Sequence, residues 1–229
     1  MATELIVVLD VDTADEALRI VDTCEGCDWF KIGVQLFTRC GPKILESMRQ
    51  RRKRVMLDLK FHDIPNTVYH AARAACDQGA SMFTVHASGG SAMIAHARKG
   101  AEGSDAKILA VTILTSISAQ VLRQEVGMSD RPEAAVPRLA KLARDAGAHG
   151  IVCSPREIKS VREVVGPGTL IVTPGIRPDW SAPDDQIRLM TPREAALAGA
   201  DYIVVGRPIL RHPQPAEAVR LIKEEIYFA

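Results

Sequence analysis

The feature that most constrains this chain is a strict alternation of two patterns. Eight short runs rich in β-branched and apolar residues, at 5–9, 29–32, 55–59, 82–86, 108–114, 150–153, 170–173 and 202–205, are each followed by a longer stretch. Several runs are almost wholly apolar, as strands of a parallel sheet are when both faces are covered. The longer stretches, at about 14–24, 41–51, 66–78, 91–100, 132–146, 156–165, 191–198 and 214–226, carry helical periodicity. Gly79, Gly147 and Gly199 each stand just before a strand. A helix that must stop there can turn through the left-handed conformation at no steric cost. Right-handed βα crossovers repeated eight times predict an α/β fold, a single-domain (β/α)8 TIM barrel over residues 1–229. Two connections, about 115–131 and 174–190, are long, and long βα loops in a barrel cover its reactive mouth.

Composition narrows the function classes. The 29 basic and 28 acidic residues leave a net charge of +1, so there is no cationic excess to neutralise a nucleic-acid backbone. The apolar run near the start meets acidic residues at once and is too short for a signal sequence or a membrane span, which predicts a cytoplasmic protein with no membrane partner. The odd number of cysteines, five, argues against a disulfide framework. Cys24 and Cys27 form a C-x-x-C, but no second pair completes a metal site, so they read as small core residues.

The informative charges are those that end strands. Asp10 closes the first run, Lys31 the second, and Asp58 with Lys60 the third, all at the catalytic face of such a barrel. Asp58 and Lys60 are two apart and project to the same face of a regular strand. Asp63 follows, giving an Asp-x-Lys-x-x-Asp array within DLKFHDIPNT, residues 58–67. Carboxylates beside a lysine favour its ammonium and orient it, and an ammonium so fixed can deliver a proton to one atom of a bound molecule. A structural ion-pair network would explain one such pair; four charges on three consecutive strands are costly to bury without a function.

A second group lies after the last two strands, where these barrels commonly hold phosphate. TPGIRP at 173–178 and VVGRPI at 204–209 supply Gly175 and Gly206, where backbone N–H groups can approach an oxyanion. Arg177 and Arg207 supply forked donors, and Gln186 in the long loop is in reach of the same anion. The histidines suggest no metal site: His62 lacks partners, His86 ends the fourth strand as a packing residue, and His96 and His149 read as surface or capping positions.

With VVLD at 7–10, FKIG at 30–33, VHASGG at 85–90 and VTILTS at 111–116, these segments resemble, in order and along the whole chain, the bacterial orotidine 5′-phosphate decarboxylases. The resemblance implies conversion of orotidine 5′-monophosphate to UMP and CO2, the last step of de novo UMP synthesis, with no metal and no organic cofactor. It implies that Lys60 protonates C6 of the pyrimidine, with Asp58 beside the departing carboxylate. Lys31 then bridges Asp58 and the ribose hydroxyls, Asp10 binds the ribose, and Thr115 and Ser116 contact the base. Arg177, Gln186, Gly206 and Arg207 hold the phosphate. Asp63 and Thr67 reach into the site of a neighbouring subunit, which makes the enzyme a homodimer. Two other readings compete. Related Mg2+-dependent sugar-phosphate decarboxylases and synthases share the Asp-x-Lys-x-x-Asp core, but the continuation Ile64-Pro65-Asn66-Thr67 favours the nucleotide enzyme. A non-catalytic nucleotide-binding barrel needs the phosphate loops but not the charged array.

Overall fold

The structure, a computed structural model, describes residues 2–181 and 189–229. Eight parallel strands close into a barrel in chain order: β1 (Glu4–Val8), β2 (Trp29–Gly33), β3 (Arg54–Phe61), β4 (Met82–His86), β5 (Lys107–Val111), β6 (Gly150–Val152), β7 (Leu170–Pro174) and β8 (Tyr202–Val205). Closure is made by β1 against β8, with Ile6 opposite Val204 and Val7 opposite Val205. The expected barrel is therefore present.

The helices form the outer layer: α1 (Ala14–Thr23), α2 (Val34–Cys40), α3 (Lys43–Gln50), α4 (Pro65–Asp77), α5 (Gly90–Gly100), α6 (Ala119–Gln124), α7 (Pro132–Asp145), α8 (Ile158–Val165), α9 (Pro192–Ala198), α10 (Arg207–Leu210) and α11 (Pro215–Tyr227). Their starts are written in the sequence. The Thr13 hydroxyl accepts the Glu16 N–H to cap α1, Thr191 and Glu194 form a reciprocal capping box on α9, and proline opens α4, α7 and α11. Gly79, Gly147 and Gly199 all take positive φ at the helix ends, as expected.

Four elements differ from the sequence reading, one of them the one-turn helix α10 in the connection after β8. The stretch after β2 holds two helices, α2 and α3, separated at Gly41–Pro42. The 115–131 connection contains α6, whose first turn is capped by the Ser118 hydroxyl. The fifth strand ends at Val111, short of the expected Leu114, and just past it both the N–H and the hydroxyl of Thr112 donate to the Val152 carbonyl, at 3.2 and 3.0 Å.

Two apolar layers follow from the two-residue period of the strands. Outward residues such as Leu5, Val7, Phe30, Ile32, Leu57, Phe83 and Val85 meet the helices. Inward residues Ile6, Val8, Trp29, Met56, Met82, Leu109, Val111, Val152, Val172 and Val204 fill the barrel. Two residues further along four adjacent strands, the inward face changes character: Val8 gives way to Asp10, Trp29 to Lys31, Met56 to Asp58, and Met82 to Thr84. The polar residues thus sit as one layer on top of an apolar plug.

Candidate active site

The carboxylates and ammonium groups of that layer form a continuous row. Lys31 Nζ lies 3.3 Å from Asp10 Oδ1 and 3.3 Å from Asp58 Oδ2. Lys60 Nζ lies 2.9 Å from Asp58 Oδ1. The charges alternate, Asp10, Lys31, Asp58, Lys60, so each cation has a carboxylate neighbour and the row is held by its own pairing. Asp58 is the buried member, 8% exposed. Burial alone would raise its carboxyl pKa, but Lys31, Lys60 and the Thr84 hydroxyl outweigh it and hold the group below the usual carboxylate value.

The route by which Lys60 reaches this row is not plain strand alternation. Leu57 pairs with Phe83 and Phe61 with Val85, so four steps on β3 span two on β4 and the ladder shifts register between them. Lys60 sits in the shift with φ 51°, a left-handed conformation that an L-residue adopts only when its surroundings impose it. Its backbone N–H, displaced from the ladder, donates to the Thr84 hydroxyl at 2.9 Å. That hydroxyl in turn donates to Asp58 Oδ1 at 2.9 Å. β3 ends at Phe61 and α4 opens at Pro65, so Lys60 at the end of the strand, Asp63 in the short connection and Thr67 in the first turn of the helix are close along the chain.

The row forms one wall of a cavity of about 340 Å³ at the C-terminal mouth of the barrel. Its lining brings together Asp10, Lys31, Asp58, Lys60, Thr115, Ser116, Arg177, Gly206 and Arg207, all of which the sequence singled out. The floor and sides are apolar: Val8, Met56, Val111, Leu114, Val152 and Val204 contribute. Such walls strengthen electrostatic interactions with a bound group. Gly175 (φ 84°) and Arg177, 8% exposed, follow β7, and Gly206 and Arg207 follow β8, so the candidate phosphate donors share the side of the cavity next to β1. The Arg177 N–H bonds to the Met190 carbonyl at 2.9 Å, which ties together the two ends of the loop between β7 and α9.

Not every predicted residue lines this cavity. Asp63 and Thr67 are exposed beside it, and the Asp63 carboxylate accepts the Ile64 N–H at 2.6 Å. Gln186 lies outside the described residues. Among the described residues no cluster of three or more His, Cys, Asp and Glu is arranged to hold a metal.

Sequence reasoning missed Thr84, which reads as an ordinary β-former, and Gly33, whose role is spatial. A methyl on Gly33 would lie 2.9 Å from Lys31 Nζ and 3.2 Å from Asp10 Oδ1. It also passed over Cys153, which lines the cavity but whose thiol burial, and then Glu157, push well above the ordinary range, leaving an un-ionised packing group. His86 ends β4 with its ring 5.4 Å from that of His62; burial first, then His62 and Lys60, lower its pKa.

The chain matches the family model described as "Orotidine 5'-phosphate decarboxylase / HUMPS family" over residues 3–222. It is 50% identical to a protein named orotidine 5′-phosphate decarboxylase from Heliobacterium modesticaldum, over 97% of this chain and 95% of that protein. A protein of the same name from Anaeromyxobacter sp. (strain K) is 53% identical over 84% of each chain. Among solved structures, orotidine 5′-phosphate decarboxylase from Lactobacillus acidophilus superposes with a TM-score of 0.87 at 40% identity, covering 98% of this chain and 99% of that one.

Proposed function

The chain belongs to the orotidine 5′-phosphate decarboxylase / HUMPS family, and on that premise we propose that it decarboxylates orotidine 5′-monophosphate to UMP and CO2 in pyrimidine-nucleotide synthesis. The observation that carries the reading is the alternating row of Asp10, Lys31, Asp58 and Lys60 sharing one cavity with Gly175, Arg177, Gly206 and Arg207. A substrate of this class is anionic at both ends, a carboxylate on the base and a distant phosphate. The cavity offers a directed ammonium for the first and arginines for the second.

The chemistry follows from that placement. When the bond from C6 to the carboxylate breaks, CO2 leaves and the electron pair stays on C6, in the plane of the ring and outside its π system. Stabilisation must come from a nearby positive charge in a site of low polarity. Lys60 supplies it, then transfers one proton from Nζ to C6, and its amine regains a proton from water. Asp58 fixes Lys60 and Lys31 from both carboxylate oxygens. Lys31 and Asp10 face the ribose hydroxyls, Thr115 and Ser116 face the base, and Arg177, Gln186, Gly206 and Arg207 hold the phosphate. The remote phosphate contributes binding energy that aligns the base for reaction. The steps use side chains alone, with no metal or organic cofactor.

Asp63 and Thr67 are exposed and do not line the cavity of their own chain, and Ile64, in the same segment, is 67% accessible. This supports a homodimer in which each copy lends these two side chains to its neighbour's cavity. Among the described residues no helix is long and apolar enough to cross a membrane. The five cysteines are free thiols, which suits the reducing cytoplasm.

The test is a continuous absorbance assay of orotidine 5′-monophosphate in buffer containing EDTA. Metal-independent loss of the substrate band with stoichiometric UMP is the expected result. An inert protein that turns over a sugar phosphate only with Mg2+ would instead assign it to the other branch of the family.

A further inference from the structure

Thr84 is not part of the cavity wall, yet it touches the reacting machinery at two points. It is 0% exposed, on the inward face of β4, in the same layer as Asp58 and directly above the apolar Met82. A hydroxyl in that place is costly to bury unless both its donor and its acceptor functions are used. Both are, and both by residues of the charged row. It accepts the N–H of Lys60 at 2.9 Å and donates to Asp58 Oδ1 at 2.9 Å. Asp58 Oδ1 also receives the Lys60 ammonium at 2.9 Å. The main chain and the side-chain tip of Lys60 are thereby referenced to the same carboxylate oxygen, one through Thr84 and one directly.

This matters because the β3 ladder cannot do the same work. With register lost between Leu57 and Phe61, the Lys60 amide has no strand partner, and the residue is held at φ 51°. The Thr84 side chain substitutes for the missing ladder bond at the residue where a displacement would move the ammonium. We infer that Thr84 is a positioning residue for proton delivery, whose hydroxyl fixes Lys60 in its left-handed conformation and orients the Asp58 carboxylate toward it. The inference rests on the decarboxylase reading above.

The experiment compares the parent with Thr84→Val, which keeps the shape and removes the hydroxyl, and Thr84→Ser, which keeps the hydroxyl and removes a methyl. Steady-state kcat and KM for orotidine 5′-monophosphate are measured across pH, with thermal melting as a control for folding. For Thr84→Val, kcat is expected to fall about 10- to 100-fold, the size of one charge-assisted hydrogen bond, with a smaller change in KM. The acid limb of its pH profile should move to higher pH, because Asp58 loses a donor to its charged form. Thr84→Ser should recover most of kcat. Should Thr84→Val fail to fold, Thr84→Cys, similar in volume with only a weak donor, reads the same quantity and should fall between parent and Thr84→Val estimates.

An unshifted profile with kcat near the parent's in the hydroxyl-less variants overturns the inference. So does a serine variant as impaired as valine, which would assign the effect to packing. A parent inert toward orotidine 5′-monophosphate overturns the substrate reading and this inference together. An active parent with an unimpaired Thr84→Val overturns the inference alone.

Discussion

The Lys31 ammonium lies 2.9 Å from the point where a methyl group on Gly33 would stand, and Asp10 Oδ1 lies 3.2 Å from it. Gly33 has φ −92° and ψ −179°, an extended conformation open to any residue, so its identity is set by space and not by backbone freedom. Gly33→Ala should leave the melting temperature nearly unchanged, because the tip of a lysine can move aside cheaply. Its cost falls on the geometry of the row. A displacement of the order of an ångström at a reactive site costs about 10- to 100-fold in turnover. A variant with parental kcat/KM would show that the position of Lys31 is unimportant to the reaction.

Lys60→Ala separates chemistry from binding. Removing the proton donor should abolish measurable turnover while UMP still binds, since the phosphate and ribose contacts proposed for the other residues remain. Isothermal titration with UMP and the absorbance assay together read the two properties. UMP formation at the parental rate would remove Lys60 from its role.

Much of this was legible from residue order, and the reasons are specific. The bounds of strands β4 and β8 are legible because a glycine precedes each short run of β-formers, Gly79 before β4 and Gly199 before β8. The charged row was legible because Asp10, Lys31 and Asp58 follow inward apolar residues by one strand period. The conformation of Lys60 was not, because lysine carries no local preference for positive φ and the register shift is set by pairing with β4, a long-range property. Thr84 was passed over for a related reason. A threonine in a strand is ordinary until the carboxylate on the neighbouring strand β3 is seen. Helix α6 was hidden in a polar connection by its short length, despite the Ser118 cap.

Arg207 tests the other side of the cavity. It lines the site next to Gly206, on the turn that follows β8. Losing a charge-assisted contact to phosphate should raise KM about 10- to 100-fold in Arg207→Ala, with kcat reduced less. An unchanged KM would place the phosphate elsewhere.

His149 predicts a pH effect on stability far from the reaction. Its Nδ1 accepts the Ile108 N–H at 3.0 Å, which requires that nitrogen to be unprotonated. Burial first, then the cations of Arg98 and Lys107, lower its pKa from 6.5 to about 4. The unfolded chain therefore takes up a proton at a higher pH than the folded one. The stability this neutral imidazole contributes is complete above pH 6.5 and is lost as pH falls toward 4. In urea denaturation, the parent midpoint should drop between neutral and mildly acidic pH, and His149→Asn should flatten that drop. Identical slopes for the two proteins would mean that the imidazole is accessible to protons in the fold.

The last prediction concerns Asp63, which is exposed on its own chain and absent from the lining of its own cavity. If Asp63 serves a neighbour, Lys60→Ala and Asp63→Ala are defects in different parts of a composite site. In a hybrid dimer, the chain with Asp63→Ala keeps Lys60 and receives an intact Asp63 from its partner, so one of the two sites is whole. Random exchange makes half of the dimers hybrids, and half of the sites in each hybrid work. Mixing the two inactive variants should then restore about one quarter of parental activity, as two-fold symmetry requires. The assay needs equal amounts of both variants, subunit exchange verified by mass tagging, and turnover measured before and after mixing. No recovery in a verified exchange would assign Asp63 to its own chain's surface and remove the partner from the catalytic unit.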